Sequence, residues 1–293
     1  MTIKEAIEFG IKTLSDGFGT DTDLGNEREV QSNVYILLSH LTKKSIVELK
    51  TNQQDELSNA DIEKFNGWLE RRLEMEPTQY IVGVTEFWSL PIYVGPGVLI
   101  PRQDTETLVD EVKKHFKDIN GKYNLLDIGC GSGCIGISLL SIFKNAHTTF
   151  IDKYDAPIKY TKKNLERNKL QNRATVIQSD MFQNIPKDSK FDAIVSNPPY
   201  IPEEELKSVS MQITLFEPME ALTAGSSGLN FYELFANEAV NFLTPNGALF
   251  LEIGYNQCED VIRILREKGW QEVNSVKDLG GNHRVVIAKK SKV

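Results

Sequence analysis

The chain has 293 residues, 40% of them hydrophobic and 25% charged, and a formal net charge of −8. That balance is the one of a soluble globular protein and excludes large-scale disorder, while the negative charge argues against a partner held mainly through many phosphates, which needs a dense Lys/Arg surface. The opening MTIKEAIEFGIKTL lacks the apolar core of a signal peptide, and no later run approaches the roughly 18 apolar residues of a membrane span, so a cytoplasmic protein without membrane contact is expected.

Residues 1–76 read as helices alone, an N-terminal docking or packing domain. In EVQSNVYILLSHL, Val30, Val34, Leu37, Leu38 and Leu41 fall on one stripe. In SNADIEKFNGWLERRLEMEP, Ser58 or Asn59 can cap, Ile62, Phe65, Leu69 and Leu73 recur at helical spacing, and Pro77 ends the run. Residues 77–103 then change character. TEFWSLPIYVGPGVLIPR is a series of short β-like pieces punctuated by Pro91, Gly95, Pro96 and Gly97, which predicts a hairpin-like connector in which Phe87 and Trp88 pack rather than line a ligand entrance.

From residue 104 to 293, apolar strands and helices alternate: NLLDIG, CIGISLLSIF, HTTFIDK, APIKYTKKNLERNKL, ATVIQSD, FDAIVSN, NFYELFANEAVNFL, GALFLEIG and QCEDVIRILREKG. Short strands separated by helices of ten or more residues imply right-handed βαβ units and a mainly parallel, Rossmann-like α/β sheet. The closing pair EVNSVKDL and HRVVIAKK has no helix between its members and is expected to be antiparallel. Three cysteines, Cys130, Cys134 and Cys258, are too few for a disulfide framework, and the scattered His40, His115, His147 and His283 share no metal-ligand spacing, so no metal is expected.

LLDIGCGSGCIG places Gly129, Gly131 and Gly133 between a strand and a helix, where the backbone can turn tightly and approach a ligand. Gly131, Gly133 and Gly136 also satisfy G-x-G-x-x-G, so the loop alone fits a dinucleotide site. Asp127, just before the first glycine, would repel a pyrophosphate and suits a cationic ligand. Asp152 closes the next strand, where a carboxylate can accept from two ribose hydroxyls. S-adenosylmethionine joins an adenosine to a sulfonium and satisfies both requirements. Cys130 and Cys134 read as small residues that a tight turn needs.

IVSNPPYIPEEE ends a buried strand with two consecutive prolines. They remove two N–H donors and force an extended, stiff loop that presents carbonyl acceptors. Such a loop suits a planar NH2 group. The Asn197 side-chain oxygen and the Pro198 carbonyl can hold its two hydrogens, and Tyr200 can pack on its flat face.

PTQYIVGVTEFWSLPIYVGPGVLIPRQDTETLV, LLDIGCGSG, IVSNPPYIP and FEPMEAL, in this order, closely resemble the HemK-type (PrmC) glutamine methyltransferases of translation release factors, from about Pro77 to the C-terminus. The resemblance implies a class I methyltransferase domain behind a helical domain. It implies an S-adenosylmethionine-dependent enzyme acting on the side-chain amide of the glutamine in the Gly-Gly-Gln motif of class I peptide chain release factors. By position, Gly129, Cys130, Gly131, Ser132 and Gly133 would cradle the donor, Asp152 would bind its ribose, and Met181 would flank adenine where a tryptophan can occur in relatives. Asn197 would touch donor and substrate, with Pro198, Pro199 and Tyr200 forming the substrate pocket. Gln103 stands where a proline is sometimes seen, between the retained Arg102 and Thr105. Two other substrates stay open on the residues alone: a glutamine of a ribosomal protein, and the exocyclic amine of a flipped adenine. The charge and the lack of a basic, aromatic-interleaved recognition domain count against the last, and direct DNA binding is not expected.

Overall fold

Amphipathic stripes and strong N-caps build the first of two units, Met1–Gly83. In the computed structural model, which describes residues 1–19 and 23–289, it contains α1 (Ile3–Phe18), α2 (Glu27–Thr42), α3 (Ile46–Thr51), α4 (Asn59–Leu73) and α5 (Thr78–Val82). Thr2 and Ser45 open α1 and α3 with capping boxes, each closed by a glutamate, Glu5 or Glu48, reaching back to the cap. Ser58 caps α4 by accepting from the Asp61 N–H. Val30, Val34, Leu37, Leu38, Phe65 and Leu69 form a buried core, with Leu41, Ile62 and Leu73 packed at its edge. α4 stops at Leu73, ahead of a left-handed Met75, so Pro77 does not end that helix but heads α5, which Gly83 closes.

The second unit, Val84–Val293, opens with a hairpin of β1 (Val84–Phe87) and β2 (Leu90–Tyr93), turned at Trp88 and Ser89 with φ of 52° and 57°. That pair of left-handed residues matches the strand twist of a two-residue hairpin. There follow α6 (Glu106–His115), β3 (Asn124–Ile128), α7 (Cys134–Ile142), β4 (His147–Asp152), α8 (Asp155–Arg167), β5 (Ala174–Gln178) and β6 (Phe191–Ser196). The rest comprises α9 (Met211–Phe216), α10 (Asn230–Glu238), β7 (Leu243–Glu252), α11 (Cys258–Glu267), β8 (Gln271–Lys277) and β9 (His283–Lys289). Lys290, the last residue of the apolar run expected as the final strand, lies outside the described residues.

One sheet of order β5-β4-β3-β6-β7-β9-β8 carries this unit. The pairs from β5 to β7 are parallel and the last two, β7–β9 and β9–β8, antiparallel, as the alternation and the helix-free closing pair imply. Successive strand residues face opposite sides. Leu126, Ile128, Ile151, Ile194, Leu249 and Leu251 pack with Tyr232 and Phe235 of α10 and Val261 and Leu265 of α11. Phe150 and Phe250 face the other way, toward Gly136 of α7 and His115 of α6. The helix α6 and the short helical turns between β6 and α10 have no counterpart in the sequence reading. α9 has six residues, too few to show a period. Among the described residues no helix is long and apolar enough to cross a membrane.

Candidate active site

β3 and β6 are neighbours at the point where the strand order reverses, with β4 and β5 beyond β3 on one side and β7 beyond β6 on the other. Loops leaving the carboxyl ends of such a pair diverge and open a crevice. The glycine loop leaves β3 and Asn-Pro-Pro-Tyr leaves β6. Between them lies a cleft of about 340 Å³.

Gly129, Gly131 and Gly133 have φ of 65°, 56° and 81°, the left-handed region that a side chain disfavours. A Cβ on Gly129 or Gly131 would meet open space, so backbone conformation is the constraint there. Gly136 answers to packing instead: a Cβ would approach Phe150 Cε1 to 2.3 Å. The loop is pinned from outside. Thr161 donates its hydroxyl to the Gly131 carbonyl at 3.1 Å. Asn164 Nδ2 donates to the Ser132 and Tyr93 carbonyls, both at 2.9 Å, tying the loop to β2.

Asp152, the last residue of β4, lines the cleft. Its carboxylate accepts from the Gly131 N–H at 3.0 Å and the Tyr154 N–H at 3.1 Å. Burial raises its pKa, and these N–H groups pull the other way. The Lys153 N–H acts on Asp152 as well, and a carboxylate has about four acceptor sites, so capacity for a further donor is left.

Asp127 is a correction to the sequence reading. Strand alternation turns it away from the cleft, and it is fully buried, with Oδ2 accepting from the Gly136 N–H at 2.9 Å. Burial pushes its carboxyl up to about 7. It supports the first turn of α7 and is not among the residues that line the cleft.

Of the other residues singled out, Gly129, Cys130, Gly131, Ser132, Met181, Asn197 and Pro199 line the cleft, whereas Gly133 and Pro198 do not. Pro198 is buried. Tyr200 lines a second cavity of about 160 Å³, together with Ile201, Val209 and Ile213. Leu99, Arg102, Asn197 and Ala221 belong to the walls of both cavities. Asn197 is half-buried, and its Nδ2 donates to Thr105 Oγ1 at 3.2 Å. Burial pushes the Tyr200 phenol up to about 12. Phe87 is buried and Trp88 lies near Lys113, with Nζ 5.8 Å from its ring; neither lines either of these two cavities.

Several contributors carried no signal in the sequence. Gln257, read as a helix start, holds the Tyr200 carbonyl through Nε2 at 2.9 Å, while its Oε1 accepts from the Gly254 N–H at 3.0 Å. Gly228 lies against the same loop, since a Cβ there would come 2.5 Å from the Tyr200 carbonyl oxygen. Phe231, read only as part of a helix, lines the cleft.

A mainly parallel sheet with an antiparallel end, a glycine loop after its first strand and Asn-Pro-Pro-Tyr after the strand beside it define a Rossmann-like methyltransferase. Residues 103–227 match the methyltransferase small domain, and residues 24–83 the PrmC N-terminal domain. The chain is 39% identical over 256 residues to the release factor glutamine methyltransferase of Fusobacterium nucleatum, covering 87% of this chain and 72% of that protein. It is 37% identical over 261 residues to the release factor glutamine methyltransferase of Clostridium botulinum, covering 89% and 92%. In fold it is similar to the 16S rRNA N2 G1207 methyltransferase RsmC of T. thermophilus, solved with AdoMet and guanosine, at a TM-score of 0.52 and 21% identity, covering 71% of this chain and 50% of that one. The chain belongs to the release factor glutamine methyltransferase family.

Proposed function

We propose that this chain transfers the methyl group of S-adenosylmethionine to the side-chain amide nitrogen of the glutamine in the Gly-Gly-Gln motif of class I peptide chain release factors. The observation that carries this reading is the position of Asn197 in the wall common to the two cavities. The larger cleft suits the donor. It offers a backbone floor at Gly129 and Gly131, apolar walls at Leu99, Ile128, Met181 and Phe231, and in Asp152 a carboxylate with acceptor capacity left for ribose hydroxyls. The smaller cavity, about 160 Å³, lies below the ~300 Å³ at which drug-sized pockets begin and suits a single side chain.

When bound, the donor supplies an electrophilic methyl carbon on a sulfonium. An amide NH2 is a weak nucleophile because its lone pair is delocalised. In this chain Asn197 Oδ1 and the Pro198 carbonyl accept its two hydrogens and turn the nitrogen toward the larger cleft, while Tyr200 packs on the flat group. The prolines keep both acceptors in place, and orientation of this kind contributes on the order of several kcal/mol to lowering a barrier. The proton leaves after transfer, so the residues need supply no general base.

The test is incubation of the purified chain with labelled methyl donor and, separately, a release factor, the same factor with the motif glutamine changed to alanine, a ribosomal protein extract and DNA. Label in the release factor that disappears with the glutamine supports the reading. Label confined to a ribosomal protein or to nucleic acid overturns it.

A further inference from the structure

Glu252 closes β7 with one-hundredth of its surface exposed, one residue past the Ser196–Leu251 register pair and therefore beside Asn197. Leu249, Leu251 and Ile253 around it are apolar and fully buried. A carboxyl at such a position is expensive, and an apolar side chain would serve the strand better. Arg284 is the cation whose charge acts on it, but its guanidinium is engaged by Asp278 at 3.0 Å, Asp104 at 3.3 Å and the Ile253 carbonyl at 3.2 Å. Among the described residues Glu252 Oε2 has no hydrogen-bond partner. The Asn197 site gives this carboxyl a purpose.

We propose that Thr105 and Glu252 set the orientation of the Asn197 amide, with Glu252 a positioning residue acting through the Thr105 hydroxyl. The proposal rests on the methyl-transfer reading above. Thr105 is buried, and its Oγ1 accepts from Asn197 Nδ2. A hydroxyl that has accepted from an amide has one proton left to give. The ionised Glu252 takes it, and Thr105 is the polar neighbour that most favours the ionised carboxyl, ahead of Arg284 and Asn197. The chain therefore runs one way, from Asn197 N–H to Thr105 O–H to the Glu252 carboxylate. The two ends of an asparagine amide have nearly the same shape, and this chain decides which of them is left for the substrate. With Nδ2 committed to Thr105, Oδ1 is the end presented, which is the acceptor an incoming NH2 needs. A protonated Glu252 can donate to Thr105 instead, and the direction is lost.

Protonation lies within reach, because burial raises the Glu252 carboxyl to about 7. The groups facing it come from five elements: Arg284 on β9, Asp104 in the turn before α6, Tyr200 after β6, Tyr232 on α10 and Cys134 on α7. Burial pushes Tyr200 and Cys134 up to about 12 and raises Tyr232 well above the ordinary phenol value, so these three stay neutral while Glu252 titrates.

The test compares Glu252→Met, Glu252→Gln and Thr105→Val. Glu252→Met and Thr105→Val are expected to lose turnover on a release factor by about 10- to 100-fold, the size of effect seen when the partner orienting a metal ligand is removed, and Glu252→Met, which lines neither cavity, to leave S-adenosylhomocysteine affinity by calorimetry unchanged. Their double variant loses no more than either alone. Glu252→Gln keeps an acceptor oxygen and is expected to retain most turnover and to abolish the rise in kcat expected of the wild type through pH about 7. The Asn197 side-chain amide resonances, identified by their loss in Asn197→Asp, shift or broaden in Thr105→Val with no ligand added. Should Glu252→Met not fold, Thr105→Val decides. Unmoved Asn197 resonances, multiplicative losses in the double variant, or an unaltered pH profile in Glu252→Gln would overturn the proposal. A wild type that labels no release factor removes the substrate reading instead, and the amide resonances still decide the orientation chain.

Discussion

The Glu217 carboxylate binds Arg102, 115 residues earlier in the chain, through one oxygen and accepts from the Ile100 N–H at 2.9 Å through the other. Glu217 is buried and Arg102 partly exposed, so the pair ties the FEPMEAL segment to the strand-like stretch before α6. Leu99 and Arg102 on one side and Ala221 on the other are the residues that wall both cavities with Asn197. Glu217→Ala is therefore expected to cost about 1–3 kcal/mol, since it orphans a buried N–H while the freed Arg102 can turn to water. Thermal unfolding checks the loss. In the folded fraction, KM for the protein substrate should rise more than the donor dissociation constant.

Asn197 and Asp152 should separate cleanly. Asn197→Ala is expected to lower kcat by orders of magnitude and leave S-adenosylhomocysteine binding nearly intact, because Asn197 works at the junction of the cavities. Asp152→Ala should chiefly weaken that binding. Calorimetry beside steady-state kinetics distinguishes the two, and a lost fold in Asn197→Ala, seen by circular dichroism, would make that residue structural.

Two glycines five residues apart should fail for different reasons. Gly136→Ala drives a methyl to 2.3 Å from Phe150, overpacking a helix–strand contact at a cost of about 1–3 kcal/mol. Gly131→Ala has space but inherits a φ of 56°, a strain on the order of 1 kcal/mol, and moves the backbone N–H that Asp152 accepts. Gly136→Ala is thus expected to lower the unfolding midpoint more, and Gly131→Ala to lower donor affinity more. Equal effects on both measurements would remove the distinction.

What could be read in the sequence was local. Left-handed glycines and paired prolines act through their own backbone, so the two loops that flank the cleft were visible as short strings. The contacts that aim them were not. Asn197 meets Thr105 across 92 positions, Tyr200 meets Gln257 across 57, and Asn164 meets Tyr93 across 71, in each case through an ordinary polar side chain in an ordinary helix or turn. Glu252 is a lone carboxylate within the apolar string GALFLEIG, which says nothing of what it faces. Asp127 was misplaced for a related reason. Its distance along the chain from the glycines is short, but the two-residue strand period puts it on the helix α7 face, under the loop.

Asp127 offers a test whose sign depends on pH. Its carboxyl is raised by burial from an ordinary 3.8 to about 7. Between those values the folded chain holds a proton that the unfolded chain has released, so folding stability falls as pH rises and the loss is complete above about 7. Each unit of the interval corresponds to about 1.4 kcal/mol. Asp127→Asn keeps an oxygen for the Gly136 N–H, but it places an NH2 where Oδ1 has no partner among the described residues, which costs on the order of 1–3 kcal/mol at every pH. The variant should therefore be the less stable protein at pH 5, and the gap should close or reverse by pH 8 as the wild type acquires a buried charge that the variant lacks. Asp152 and Glu252, both raised by burial, leave the variant with a decline of its own in the same direction. The diagnostic quantity is the difference between the two unfolding midpoints measured from pH 4 to pH 8, and a difference that stays constant would mean that Asp127 is ionised throughout.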